Sequence, residues 1–293
     1  MEVKPPTTHH FNLVGIVPTA GQKLDFNFPW HDSLQPIEKD YLAVEQAVFN
    51  CAIAGCKTIW IGCSKDMQPL IRYRLGDYIV DPYELNMTTR FANVPHKREI
   101  PIYYVPTHPK DAGRRDSLSW SIITAALSSY WVSKKISKWV TPDRYFVAFP
   151  YGLFNSYVLE KQRKFINKSR PFCVSYEGKT FKDGLFLPFT FDAEDFIAAR
   201  KNFRKSEARG SDKNQVPLSP DKSWTGRYFT HDFVFSGVKE EEATIVPLPW
   251  YYDISSWDGL KKWLISDYSL DKPKEIILSY HEWNPIGVDN EKK

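Results

Sequence analysis

The first sixty residues carry the pattern of a strand, a tight loop, a helix and a second strand. An apolar run over residues 13–17 leads into a loop at residues 18–23, and a helical pattern from about Ile37 ends at Gly55, before a second apolar run over residues 58–61. Parallel strands joined through a helix form right-handed crossovers. Because open α/β sheets bind ligands beyond the carboxyl ends of their strands, the loop after the first strand is a candidate ligand-binding loop.

Strand and helix patterns continue to alternate through the first half of the chain. We expect a strand at residues 100–105, a helix at residues 118–132 and a short buried strand at residues 145–149. Later strands have shorter connections, and we expect them at residues 172–176, 185–191 and 226–234. The pattern therefore predicts an α/β fold with a doubly wound, mostly parallel central sheet and a smaller mixed β subdomain.

The chain divides into three predicted parts. Residues 1–10 are predicted to form a flexible arm, residues 11–170 an α/β core, and residues 171–293 a mixed region that completes the same domain. Residues 200–222 are polar and contain two prolines, so we expect an exposed loop there. The apolar runs are too short to span a membrane and the start lacks the apolar core of a signal peptide, which predicts a cytoplasmic protein with no membrane partner.

Charge and cysteine content narrow the range of partners. The formal net charge is +4, which suits a phosphate-bearing ligand without requiring nucleic acid. The 4 cysteines match no common zinc-binding spacing. Three of them, Cys51, Cys56 and Cys63, lie in or beside the first helix and second strand, so we expect buried structural thiols.

Four segments, in order, resemble the sugar-1-phosphate nucleotidyltransferases, whose catalytic domain shares the Rossmann-like GT-A architecture of many glycosyltransferases. Residues 14–21 are similar to the strand and Ala-Gly loop that open that family, and residues 54–61 to its next helix end and strand. Residues 113–118 are placed like the family's turn around the nucleotide base, and residues 250–257 look like its late Trp-x-Asp-Ile-x-Thr segment. The resemblance implies that residues 11–170 are a nucleotide-binding core and that the later region lies on the sugar or acceptor side.

The resemblance also implies a reaction and a set of site residues. Joining a nucleoside triphosphate to a sugar-1-phosphate is an in-line displacement between polyanions, which needs cations and positioning. The implied catalytic residues are Lys23 and Asp253, and Asp253 is also the implied ligand of Mg²⁺. The implied nucleotide-binding residues are Pro18, Thr19, Ala20, Gly21, Gln22, Arg114, Arg115, Asp116 and Ser117. The implied sugar-binding residues are Glu177, Lys179 and Arg227.

Three positions differ from the family pattern. Lys23 stands at the second glycine of the family loop and Asp25 at its arginine. Tyr151 stands where the family has its first metal-binding aspartate. The same residues also have simpler interpretations, since Asp253 could cap a helix that starts at Ser255 or Ser256 and the arginine pair could lie in a solvated turn.

Three functional hypotheses follow. The first is a nucleotidyltransferase that makes a nucleotide sugar and releases pyrophosphate. The second is a GT-A-like glycosyltransferase that consumes a nucleotide sugar. Nucleic acid is one candidate acceptor, favoured by the basic and aromatic residues 134–139 and 202–205. The third is a catalytically inactive relative that keeps the fold as a binding or structural protein, favoured by the altered loop and by Tyr151.

Overall fold

The computed structural model describes residues 11–20, 28, 30–84, 98–111, 117–137, 140–168, 170–209 and 230–270, with the helix backbone alone at 205–209. The predicted arm at residues 1–10 lies outside this set, and the predicted division at residue 170 stays a prediction. No helix in these ranges is both long and apolar enough to cross a membrane.

Eight strands form the central sheet. They are β1 (Leu13–Pro18), β4 (Thr58–Cys63), β5 (Tyr78–Val80), β6 (Glu99–Pro106), β7 (Arg144–Val147), β9 (Phe172–Ser175), β10 (Phe189–Phe191) and β11 (Thr244–Pro247), in the spatial order β11-β9-β10-β7-β1-β4-β6-β5. The pairs β7/β1, β1/β4, β4/β6 and β11/β9 are parallel. Strands β10 and β5 run antiparallel to their neighbours.

Two further sheets have two antiparallel strands each. One pairs β2 (Pro36–Glu38) with β3 (Tyr41–Leu42), and the other pairs β8 (Gly152–Leu153) with β12 (Tyr252–Asp253). The described helices are α1 (Ala43–Ala54), α2 (Gln68–Leu75), α3 (Leu118–Ile136), α4 (Tyr157–Ile166), α5 (Ala193–Arg209), α6 (His231–Val234) and α7 (Trp257–Leu264).

Helices cover both faces of the sheet, as two glycine contacts show. A Cβ atom on Gly15 would lie 2.9 Å from the Cys51 side chain of α1, and a Cβ on Gly62 would lie 2.4 Å from Ser121 Oγ of α3. Gly15 of β1 pairs with Ile59 of β4, so these two residues face the same side of the sheet. Gly62 comes three positions after Ile59, and because successive residues of a strand alternate sides, Gly62 faces the opposite side from Gly15. All six residues of β1 are buried. This arrangement confirms the predicted fold class.

The first helix starts later than the sequence pattern indicated. Ile37 lies in β2, and Asp40 adopts a positive φ of 58° in the turn to β3. Helix α1 begins only at Ala43, because the Glu45 carboxylate accepts a hydrogen bond from the backbone N–H of Leu42 at 2.7 Å. The expected helix start near Ile37 was therefore wrong, whereas its end at Gly55, with φ of 94°, is confirmed.

Two expectations for the later chain were also wrong in part. Residues 200–209 continue helix α5 and do not form the start of an exposed loop, while residues 210–222 lie outside the described set. Residues 231–234 form helix α6 and not a strand, because Thr230 accepts a hydrogen bond from the Phe233 N–H and caps the helix. The cysteine expectation is confirmed, since all 4 thiols are free and buried.

Candidate functional site

The carboxyl ends of the parallel strands gather the chain's candidate ligand-binding residues. Strands β1, β4, β6 and β7 are mutually parallel, so their carboxyl ends share one edge of the sheet. Strand β9 runs in the same direction as β7, because each is antiparallel to β10. We call this edge and the loops that leave it the candidate site.

The start of the first loop is anchored to the neighbouring strand. Pro18 and Thr19 are buried, and the Thr19 backbone N–H and hydroxyl donate to the carbonyl oxygen of Gly62 at 2.8 and 3.0 Å. Ser121 Oγ donates to the same oxygen at 2.9 Å. Ala20, which follows, is also buried. The implied residues Gly21, Gln22 and Lys23 lie outside the described ranges.

Helix α3 begins at the same edge. Ser117 is its N-cap residue, and its hydroxyl accepts a hydrogen bond from the backbone N–H of Trp120 at 3.2 Å. The first N–H groups of a helix have no partner within the helix and favour an anion. Ser117 thus has a structural role at a place where a phosphate could bind. Arg114, Arg115 and Asp116, which precede it, are not among the described residues.

The late aspartate lies next to the central strand. Asp253 of β12 pairs with Gly152 of β8, and the Ile254 N–H donates to the Tyr151 carbonyl at 2.9 Å. Asp253 Oδ1 accepts the backbone N–H of Ser255 at 2.8 Å. Among described residues no donor reaches its second oxygen. The helix begins at Trp257 and Ser256 is its N-cap residue, so the alternative that Asp253 caps a helix from Ser255 or Ser256 is wrong. Asp253 instead binds the Ser255 N–H with one oxygen, which leaves the other available to a ligand.

Two glycines allow other segments to approach Asp253 closely. A Cβ on Gly152 would lie 2.0 Å from the carbonyl oxygen of Phe186, and a Cβ on Gly259 of α7 would lie 1.7 Å from the carbonyl oxygen of Asp253. Real Cβ atoms do not approach oxygen so closely. The absence of side chains at both positions therefore fixes where Asp253 lies.

The implied sugar-binding pair lies on a tight turn at the end of β9. Tyr176 and Lys179 exchange backbone hydrogen bonds of 2.9 Å in both directions. The residues between them, Glu177 and Gly178, both have positive φ, at 49° and 76°. The side chains of Glu177 and Lys179 are exposed. The Tyr176 and Tyr251 rings, 5.7 Å apart, connect this turn to the segment of Asp253, whereas Arg227 lies outside the described part of the chain.

Comparisons with known proteins bear on this arrangement. No protein-family profile and no curated protein sequence matches the chain. A solved structure from Bacillus anthracis, assigned as a glucose-1-phosphate thymidylyltransferase and in complex with sucrose, aligns with a TM-score of 0.52 at 11% identity over 89% of this chain and 98% of that one. A UDP-glucose pyrophosphorylase complexed with UDP-glucose aligns with a TM-score of 0.50 at 12% identity over 86% of this chain and 97% of that one.

The chain has a sugar-1-phosphate nucleotidyltransferase-like fold. At this level of identity the likeness concerns the fold and not the activity, because one fold supports many reactions. It confirms the family resemblance read from residues 14–21 and 250–257 at the level of architecture. The candidate site therefore has to be assessed on its own residues.

The described residues do not fit the magnesium site of two carboxylates that the resemblance implies. Tyr151, at the position of the first aspartate, is fully buried, and its hydroxyl has no hydrogen-bond partner in the described ranges. Burial, and then the nearby charge of Asp32, raise the pKa of Tyr151 well above its ordinary value, so the phenol stays neutral. No group of three His, Cys, Asp or Glu side chains able to hold a metal occurs among the described residues. Of the two carboxylates of the implied metal site, the described residues supply Asp253 alone.

The structure adds a histidine that the sequence did not single out. His231 Nδ1 lies 3.0 Å from Ser119 Oγ of α3, and its ring centroid is 5.0 Å from that of Phe149, which follows β7. Burial lowers the pKa of His231 to about 4. Because 112 residues separate His231 from Ser119, no local motif in the sequence could have shown the pair.

Three partly exposed aromatic residues also meet near the candidate site. Phe28 stacks on Trp30 with ring centroids 4.6 Å apart and meets Trp257 edge-on at 6.0 Å. Their exposures are 36%, 41% and 48%, high for large apolar side chains. This contact joins the segment after β1 to the start of α7, four residues after Asp253.

Proposed function

We propose that this chain is a nucleotidyltransferase that joins a nucleoside triphosphate and a sugar-1-phosphate into a nucleotide sugar and releases pyrophosphate. The observation that carries the proposal is the pairing of Asp253 with Gly152. It brings an aspartate from the later part of the chain to the segment that follows the central strand β7, which is paired with β1. The shared fold supports the same type of reaction.

The reaction is an in-line displacement at phosphorus. An oxygen of the sugar phosphate attacks the α-phosphorus of the triphosphate, and the bond from that phosphorus to the bridging oxygen breaks, so that pyrophosphate leaves with the electron pair. The negative charge on the phosphate oxygens needs nearby N–H groups and cations. In the proposal Pro18, Thr19, Ala20, Gly21 and Gln22 form the phosphate loop. Pro18 has no N–H and the Thr19 N–H is bonded to Gly62, so these two residues anchor the loop and the N–H groups come from the residues after them.

The remaining implied residues divide between the two substrates. Lys23 would neutralise the charge on the phosphates, and Arg114, Arg115, Asp116 and Ser117 would hold the nucleotide at the start of α3. On the sugar side, the proposal places Glu177, Lys179 and Arg227. The turn at Glu177 supports this, because it leaves the same edge of the sheet as the loop after β1.

Asp253 is proposed as the catalytic carboxylate. Its Oδ1 is held by the Ser255 N–H at 2.8 Å, which fixes the orientation of the group. A fixed carboxylate can accept hydrogen bonds from sugar hydroxyls or attract a cation that accompanies the phosphates. Since the described residues supply no second carboxylate, the proposal contains no step through Mg²⁺, and magnesium is a variable in its test.

The experiment measures pyrophosphate release from each nucleoside triphosphate mixed with a panel of sugar-1-phosphates, with Mg²⁺ and with EDTA. We expect one pair of substrates to react, and Asp253→Asn to lower kcat/KM by about 100-fold. Asparagine can still accept the Ser255 N–H through its amide oxygen, so the variant should keep its fold. A thermal unfolding midpoint within about 2 °C of the parent checks this.

Asp192→Asn is the matched control. Asp192 also accepts backbone N–H groups in a local turn, from Glu194 at 2.9 Å and Asp195 at 3.0 Å, and it follows β10 at the opposite edge of the sheet. This variant should retain full activity. Lack of pyrophosphate release from every substrate pair would leave the inactive binding protein as the better account, and full activity of Asp253→Asn would remove Asp253 from the reaction.

A further inference from the structure

A second pocket opens at the other edge of the central sheet. Its lining includes Phe11, Lys57 and Arg98. Lys57 and Arg98 directly precede β4 and β6, and Phe11 lies two residues before β1, so all three lie at the amino ends of parallel strands. The cavity has a volume of about 600 Å³, which is in the range of small-molecule sites. Since β4 has 6 residues, this pocket lies about 20 Å from the candidate site. We call it the amino-edge pocket.

Two lining residues of the amino-edge pocket, Arg163 and Arg98, are ion-paired with Asp81. Asp81 is fully buried, and Arg163 of α4 contacts it twice, Nη1 to Oδ1 at 3.1 Å and Nη2 to Oδ2 at 2.5 Å. Arg98 Nη1 lies 3.5 Å from Asp81 Oδ2 and 3.1 Å from Glu84 Oε1. Arg163 also donates to the carbonyl oxygens of Ala52 and Ile53 at the end of α1, both at 3.2 Å. The two arginines therefore have acidic partners and a structural role.

Three lysines at the same pocket have no such partners. Lys57, Lys161 and Lys164 line the pocket, their side chains are exposed, and their ammonium groups form no hydrogen bond or ion pair with the residues that the structure describes. Glu160, one turn before Lys164 on α4, is the one acidic lining residue besides Glu84. The lysines thus leave an excess of positive charge around a concave surface.

The electrostatic surroundings of Lys57 show the same excess. Partial loss of solvent in the pocket lowers the pKa of the exposed Lys57, and the charges of Arg98 and Arg163 lower it further, while Glu84 and Asp81 act in the opposite direction with less effect. At this ammonium group the two acids thus do not compensate for the two arginines. A bound anion would reverse the effect, because it would favour the charged form of the lysine.

We propose that the amino-edge pocket binds a small phosphorylated anion, held by Lys57, Lys161 and Lys164. A compact ligand with two or more negative charges fits best, because three lysines and Arg98 line the same cavity. The pocket is separate from the proposed catalytic site and does not depend on the activity at that site. It provides a second anion site on the same sheet.

The test uses inorganic phosphate as the probe, titrated calorimetrically in EDTA at low salt, because phosphate is neither a substrate nor a product of the proposed reaction. The pocket variant combines Lys57→Gln, Lys161→Gln and Lys164→Gln. A control variant removes the same charge elsewhere, with Lys134→Gln, Lys135→Gln and Lys201→Gln on helices α3 and α5. We expect the parent and the control to bind alike, and the pocket variant to bind at least about tenfold more weakly.

The other outcomes are equally defined. No binding to the parent, or equal binding by the parent and the pocket variant, would overturn the proposal, because the anion would then bind nowhere or elsewhere. An equal loss in both variants would assign the effect to net charge and also overturn it. A parent that does not bind inorganic phosphate but binds a single-stranded oligonucleotide through the three lysines would overturn the proposal and assign the pocket to nucleic acid. Thermal unfolding of both variants checks that they are folded.

Discussion

Asp253 lies opposite Gly152 in the antiparallel pair of β12 and β8, and nothing larger than glycine fits opposite it. A Cβ on Gly152 would be 2.0 Å from the Phe186 carbonyl oxygen and 3.0 Å from the Tyr251 ring. Backbone atoms cannot move aside as a flexible side chain can. We therefore expect Gly152→Ala to lower the free energy of unfolding by about 2–3 kcal/mol, measured by urea denaturation.

Gly178→Ala is the comparison for that variant. Gly178 has φ of 76°, and a Cβ there would meet no atom within 4 Å. Only the backbone strain remains, so the expected loss is about 1 kcal/mol. If Gly152→Ala costs no more than Gly178→Ala, the close approach of Phe186 does not constrain the site.

The first strand and the end of the first helix were predicted from the sequence because the signals for them are local. The apolar run at residues 13–17 became β1, and Gly55 ended α1 as its conformational freedom predicted. The start of α1 was predicted too early because residues 36–42 form the short hairpin of β2 and β3. Asp40 adopts a positive φ in the turn of that hairpin. The hydrogen bond from the Leu42 N–H to the Glu45 carboxylate then sets the first turn of α1.

The candidate site was predictable to the extent that it depends on short motifs. The segment around Asp253 was identified from its neighbours in sequence, but its pairing with Gly152 joins residues about 100 positions apart. The contact of His231 with Ser119 likewise depends on the fold, and so does the grouping of three lysines at the amino-edge pocket. Hydrophobic periodicity carries no information on which distant polar groups meet.

Asp81 and Arg163 should be important for stability. Asp81 is fully buried and contacts Arg163 with both oxygens, so Asp81→Asn removes a charge and leaves the arginine without its counterion. We expect a loss of about 3 kcal/mol in the free energy of unfolding, measured by urea denaturation. Asp77→Asn is the control, because Asp77 pairs with Arg72 at the exposed surface, where a much smaller effect is expected. Similar losses in the two variants would contradict a buried pair.

The four thiols should be unreactive in the folded protein. All are buried, and burial raises the pKa of Cys63 and of Cys173 to about 12. At pH 8 only about one such thiol in ten thousand is a thiolate, the form that reacts with disulfide reagents. Titration with a chromogenic disulfide should detect less than one thiol per folded chain within minutes and all 4 in urea. Rapid reaction of a thiol without denaturant would show that it is accessible.

His231 should make the protein less stable in mild acid. Its pKa is about 4 in the folded chain, against an ordinary value of 6.5. Between these values the unfolded chain takes up a proton that the folded chain does not, so the free energy of unfolding falls as the pH decreases from 6.5 to 4. For a partly buried ring we expect a loss of about 1–2 kcal/mol between pH 7 and pH 5. His231→Asn lacks this proton and keeps an amide near Ser119, so its unfolding free energy should decrease by that much less over the same interval. Parallel pH profiles for the parent and the variant would show that His231 is protonated equally in both states.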